Sequence, residues 1–159
     1  MLALLLALTL GQAAGQDTTE TPQAPSTAPA ASQAEAAAVI GPLEVGSAIF
    51  TAGVCSGLGW EVESAEGERL KAAVAGAHPE LTAEAFQEQA LAGSDATRFS
   101  LSQSMQQVSD LASHQAFTDM LERRCNGLSA AFPTLVRRGP ETEATWARIK
   151  QQTGARFQQ

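Results

Sequence analysis

Residues 42–58, PLEVGSAIFTAGVCSGL, decide the fold class. Pro42 suits the first position of a helix, where its missing N–H leaves no bond unmade. Leu43, Gly46, Phe50, Val54 and Leu58 then recur at three- and four-residue steps, with Ile49 and Cys55 flanking the line. That spacing is one face of a helix over residues 43–58. From Val39 to Trp60 the only charge is Glu44. Gly46, Gly53, Gly57 and Gly59 dilute the hydrophobicity, which favours a buried core helix. The alternative is a membrane-anchored protein held by residues 39–60. Gly53 and Gly57 form a GxxxG pair, a pattern that lets helix backbones approach closely. Trp60, after Gly59, is expected to anchor a chain reversal.

The chain after this helix continues in helical periods. Ser64 is a candidate N-cap, followed by Glu66 and Glu68 where the helix dipole favours acids. Leu70, Ala73, Val74 and Ala77 give an apolar edge that Gly76 and Pro79 should end. Thr82 is expected to cap the next helix, with Leu81 and Phe86 as a hydrophobic staple. Gly93 is expected to stop it, and Ser94 and Asp95 to open a longer helical region. There Leu101, Met105, Val108 and Ala112 share a stripe, and Phe117, Leu121 and Cys125 continue it beside Met120. A change of phase near Ser113 and His114 predicts a kink or short break. Asn126-Gly127 reads as a C-terminal stop. Pro133 and Gly139-Pro140 bound a loop, and Pro140 starts the last helix, whose face is Trp146, Ile149, Thr153 and Phe157. No segment alternates cleanly as a strand would, and none repeats.

The expected fold is therefore all-α: a small bundle of five or six helices in residues 38–159. Cys55 and Cys125 each lie on an apolar helical face. If the first helix packs on the fourth or fifth, their sulfurs meet and form a disulfide. Neither belongs to a CxxC pair of the kind that lowers a thiol pKa for redox work, so a structural staple is the reading.

Upstream of the core helix, Leu2 to Leu10 is a Leu/Ala run broken only by Thr9, followed by the small residues Ala13, Ala14 and Gly15. This is the pattern of a signal peptide over residues 1–15, although no Lys or Arg precedes the run. Nine residues are too few for a bilayer, which needs about 20. Residues 16–37 carry Pro22, Pro25 and Pro29 among Thr, Ser, Gln and Ala, with no large apolar residue. Such a stretch cannot bury enough surface to offset its ordering entropy, which predicts a disordered spacer. Export places the chain in the periplasm or outside the cell, where a disulfide persists.

The formal net charge of −7 is unevenly spread. Residues 17–95 carry twelve acids and two bases, a balance of −10, and residues 96–159 carry five acids and eight bases, +3. The halves can neutralise one another on the folded surface. Alternatively, Arg123, Arg124, Arg137 and Arg138 form a partner-binding face. The acidic total and the lack of aromatic residues among the bases argue against nucleic acid.

Catalytic constellations are scarce. His78 and His114 are the only histidines, and no HxxxH, HExxH or CxxC spacing supports a metal. No cofactor is expected. His114 and Cys125 lie eleven residues apart, about three helical turns, too far for a nucleophile pair on one helix. Glu61, Glu63, Glu66 and Glu68 cluster at a helix start, where a solvated acidic face is the simpler reading. The expectation is an exported, non-catalytic binding or adaptor module whose partner is another envelope protein. The competing expectation is a cell-envelope enzyme drawing its acids from the Glu cluster.

Overall fold

In a computed structural model the chain is described over residues 40–156. The predicted signal peptide, the predicted spacer and Phe157 lie outside the described residues. Five helices and one two-stranded sheet follow in the order α1 (Pro42–Gly57), β1 (Trp60–Val62), α2 (Ser64–Ala77), α3 (Ala83–Gln106), α4 (Leu111–Ala131), β2 (Val136–Arg138) and α5 (Pro140–Arg156). The fold is all-α, as the periodicity predicts.

α1 is the central element, with α2, α3, α4 and β1 all packed on it. Its fully buried line is not the one expected. Val45, Ala48, Ala52 and Cys55 are buried, while Leu43 is exposed and Phe50, Val54 and Leu58 are only half-buried. Small residues take the interior because α1 is surrounded closely and leaves no room for large ones. Leu70 and Val74 from α2, Leu128 from α4, Phe132, Leu135 and Val136 complete the core.

Two predicted helix stops are overturned. α3 runs unbroken through Gly93, and α4 runs through Gly127 to Ala131. Gly93 is kept for close packing. A Cβ there would lie 1.9 Å from the Leu43 carbonyl oxygen, and one on Gly46 would lie 1.8 Å from that of Ala90. The α1–α3 contact is thus backbone against backbone. Two hydroxyl bonds cross it: Ser94 Oγ donates to the Gly46 carbonyl at 2.9 Å, and Ser47 Oγ meets Thr97 Oγ1 at 2.7 Å, while Thr97 Oγ1 itself donates within α3 to the Gly93 carbonyl at 3.0 Å. Since the Thr97 hydrogen is already committed, Ser47 is the donor to Thr97. The GxxxG pair takes no part, since a Cβ on Gly53 or Gly57 would meet nothing within 4 Å. At Gly127 a Cβ would likewise find open space, and the surrounding helix is held by Cys125 and Leu128.

The break between α3 and α4 falls before Leu111. Asp110 caps α4 by accepting from Ser113 N at 2.8 Å, and Ser113 Oγ accepts from Asp110 N at 3.1 Å, a reciprocal capping pair. Thr82 caps α3 as expected, accepting from Ala85 N at 3.1 Å. Glu63 rather than Ser64 caps α2.

The absence of strands is also corrected. β1 pairs antiparallel with β2, matching Trp60 with Arg138, Glu61 with Arg137 and Val62 with Val136. Glu63 N donates to the Leu135 carbonyl at 2.9 Å and extends the pairing. Three residues per strand are too few for alternation to be read. Gly59, at φ +84°, turns the chain from α1 into β1, a conformation glycine adopts without steric penalty. Thr142 of α5 fixes this turn: fully buried, it donates to the Gly59 carbonyl at 2.8 Å and accepts from Gly139 N at 3.0 Å.

Candidate functional site

Cys55 of α1 and Cys125 of α4 form a disulfide, with Cα atoms 5.7 Å apart and 70 residues between them in sequence. Both are buried, at 0% and 1% exposure. A thiolate from solvent has no path to either sulfur, and exchange chemistry needs that access. The bond acts as a staple within the core.

The four arginines singled out by charge fall into different surroundings. Arg137 and Arg138 sit on β2. Arg137 Nε donates to Glu61 Oε2 at 2.5 Å, and this carboxylate holds the guanidinium pKa above its ordinary value. Arg138 pairs with Glu122 at 2.7 Å and with Glu143 at 3.0 Å. Those two ion pairs tie the sheet to α4 and α5, and the Arg138 guanidinium also lies 5.4 Å from the centroid of the buried Trp60 ring, a cation–π contact between the two strands. On α4, Arg124 is half-buried and donates to Ser100 Oγ at 3.5 Å. Arg123 is exposed and has no carboxylate partner among the described residues.

The Glu cluster is dispersed by local pairing. Glu61 meets Arg137 across the sheet, Glu66 pairs with Arg69, Glu68 pairs with Lys71 at 2.8 Å, and Glu63 caps α2. No two of the four are brought face to face by these contacts. Elsewhere, Glu80 and Asp110 are held below the usual carboxylate range. The cause for Glu80 is the backbone N–H of its own residue and then His78; for Asp110 it is the Ser113 backbone N–H and then its hydroxyl. Such shifts are opposite in sign to those of a general acid.

His78 ends α2. Its Nδ1 lies 3.1 Å from Glu80 Oε1 and its Nε2 lies 3.3 Å from the Ile40 carbonyl oxygen. Both partners are acceptors only, so the ring satisfies both when it carries both protons. The Glu80 carboxylate first, and the Ile40 carbonyl second, raise its pKa above the ordinary 6.5. His114 lies apart on α4, with Nδ1 3.2 Å from Thr118 Oγ1. Among the described residues no three of His, Cys, Asp and Glu converge to hold a metal ion.

A half-enclosed cavity of about 600 Å³ lies between α1, α2 and α3. Ile49, Leu81, Phe86 and Ala90 line it, with Glu68, Lys71 and His78 among its polar groups. Sequence reasoning did not find it. Its walls are drawn from three helices and a loop, and no motif marks them; the Leu81–Phe86 staple was the one local signal.

The geometry defines a disulfide-locked all-α domain with a short two-stranded clasp. No family model matches the chain, and no curated protein or solved structure is significantly similar to it. Among the described residues no helix is long and apolar enough to cross a membrane. α1, which lies within residues 39–60, has 16 residues and carries the core.

Proposed function

We propose that the chain is an exported, non-catalytic binding module that captures an acidic envelope protein through α4. The observation that carries this reading is the unequal surroundings of the four arginines. Arg137 and Arg138 are held by Glu61, Glu122 and Glu143, whereas Arg123 is exposed and Arg124 has only a long bond to a serine. An exposed arginine without a carboxylate partner keeps its bidentate donors for another molecule. Export is supported by the apolar run at Leu2–Leu10 and by the buried Cys55–Cys125 bond, a pairing that oxidising compartments sustain.

Two measurements test the reading. Mass spectrometry of natively produced protein under non-reducing conditions should find the leader removed and two hydrogens fewer than the dithiol form. An uncleaved leader with free thiols removes export. In affinity capture from envelope extract, the double variant Arg123→Glu, Arg124→Glu should lose an acidic partner that wild type retains, and added salt should release it. Capture that ignores both the reversal and salt removes the α4 face. The pair Arg137→Glu, Arg138→Glu should instead lower stability through the clasp.

A further inference from the structure

The cavity between α1, α2 and α3 is unrelated to the arginine face and has its own chemistry. Its volume of about 600 Å³ falls within the range of small-molecule sites, roughly 300–1,000 Å³. Ile49 and Phe86 form its apolar wall and pack against the core behind it. Ala75, Ala83 and Ala90 line it where larger side chains would fill it.

The charges on the lining decide what can enter. Lys71 Nζ lies 2.8 Å from Glu68 Oε1, and His78 Nδ1 lies 3.1 Å from Glu80 Oε1. Each charge is matched by a neighbour of opposite sign. A charged ligand entering the cavity would leave its charge against the apolar wall, where the lining cations already have carboxylate neighbours, and that desolvation is unfavourable. Ser94 Oγ is committed to the Gly46 carbonyl at 2.9 Å. The Gln87 amide, which can both donate and accept, is the remaining polar handle on the lining.

We infer that this cavity binds one uncharged, mainly apolar small molecule carrying a single hydroxyl or carbonyl group. The charge-matched rim selects against ionic amphiphiles of the same length, and Gln87 orients the polar end.

The test uses the disulfide-bonded protein and the neutral fluorophore N-phenyl-1-naphthylamine as probe. Its emission should rise saturably at one probe per chain. 1-Decanol should displace it at a concentration at least tenfold lower than decanoate or decyltrimethylammonium. Ala83→Trp, which fills the cavity from an exposed position, should weaken probe binding at least tenfold with unchanged far-UV circular dichroism. Ala75→Trp, also exposed and on the facing helix, provides the second variant should the first disturb the fold. No saturable binding overturns the inference. So does equal or better displacement by either ionic competitor, or binding that survives both tryptophans. Probe binding that disappears as sedimentation shows dimers forming would give the cavity to a second copy of the chain, and also overturns it.

Discussion

Where α1 meets α3, the closest approach is backbone on backbone: Gly46 and Gly93 let the chains touch, and serine and threonine hydroxyls bond across the seam. Where α1 meets α4, the contact is covalent, through Cys55 and Cys125. Both regions hold the same helix, but by different physics. The glycine seam gains from dispersion and short hydrogen bonds between closely fitted surfaces, and it exists only in the folded state. The disulfide acts mainly on the unfolded chain, whose freedom it restricts. One region therefore fails when an atom is added, and the other when a bond is removed.

The largest effect should come from the bond. Replacing Cys55 and Cys125 together by alanine reopens a span of 70 residues. The chain-entropy estimate for such a loop is about 4 kcal/mol. Urea unfolding of the double variant should show that loss, and wild type in strong reductant should approach it once unfolded. A loss below about 1 kcal/mol would mean that the seam alone holds α1, since native disulfides in small domains contribute 2–5 kcal/mol.

Next in size is the seam. Gly46→Ala and Gly93→Ala each place a methyl under 2 Å from a carbonyl oxygen on fixed backbone, so the helices must separate. Overpacking of this kind costs about 3 kcal/mol. Gly53→Ala and Gly57→Ala put the same methyl into open space and should stabilise by about 0.5–1 kcal/mol through helix propensity. Thermal melts of the four single variants give two of each sign if the assignment is right. Destabilisation by Gly53→Ala instead would restore the GxxxG pair as the packing surface.

That contrast also marks what could be read from the chain. Helical class, the first and last helices, the Thr82 cap and the cysteine pairing were legible because each depends on local period or on two residues whose chemistry is shared. The roles of the glycines were not. Gly53 and Gly57 carry a packing motif and pack nothing, while Gly93 and Gly127 resemble stops and end no helix. A glycine's role depends on what stands opposite, and Ala90 and Leu43 lie about 45–50 positions away from Gly46 and Gly93 respectively, beyond any local window. The β1–β2 clasp escaped for a related reason: three-residue strands have no period, and their pairing spans more than 70 residues. Of the candidate site, the arginines were legible by charge, yet their division into paired and unpaired required Glu61, Glu122 and Glu143 in place.

A third, smaller effect concerns the turn from α1 into the sheet. Thr142→Val keeps the shape but removes the hydroxyl that joins the Gly59 carbonyl to Gly139 N. Leaving a buried backbone group short of a partner costs about 1–3 kcal/mol, and the value here should lie at the lower end because Gly59 and Gly139 are only half-buried. Hydrogen exchange at Gly139 and along Trp60–Val62 should accelerate with it, while the α1–α3 seam stays protected. Acceleration in the seam as well would show that clasp and seam open as one unit.

The smallest effect concerns His78 beside the start of α1, whose ion pair with Glu80 is the contact that pH can release. His78 has a raised pKa in the folded protein, so its contribution is fully present below the unfolded value near 6.5 and is lost as pH rises through the folded value. Glu80 has a lowered pKa, so its share is present above the unfolded value near 4.5 and is lost as pH falls through the folded one. The pair is therefore intact between those two unfolded values, and Glu44 adds a weaker attraction for the imidazolium. In an NMR titration His78 should titrate above 6.5, and Glu80→Gln should move it down while leaving the bond to the Ile40 carbonyl in place. A His78 that titrates at or below 6.5 in the folded chain would mean that its ring does not carry both bonds at once.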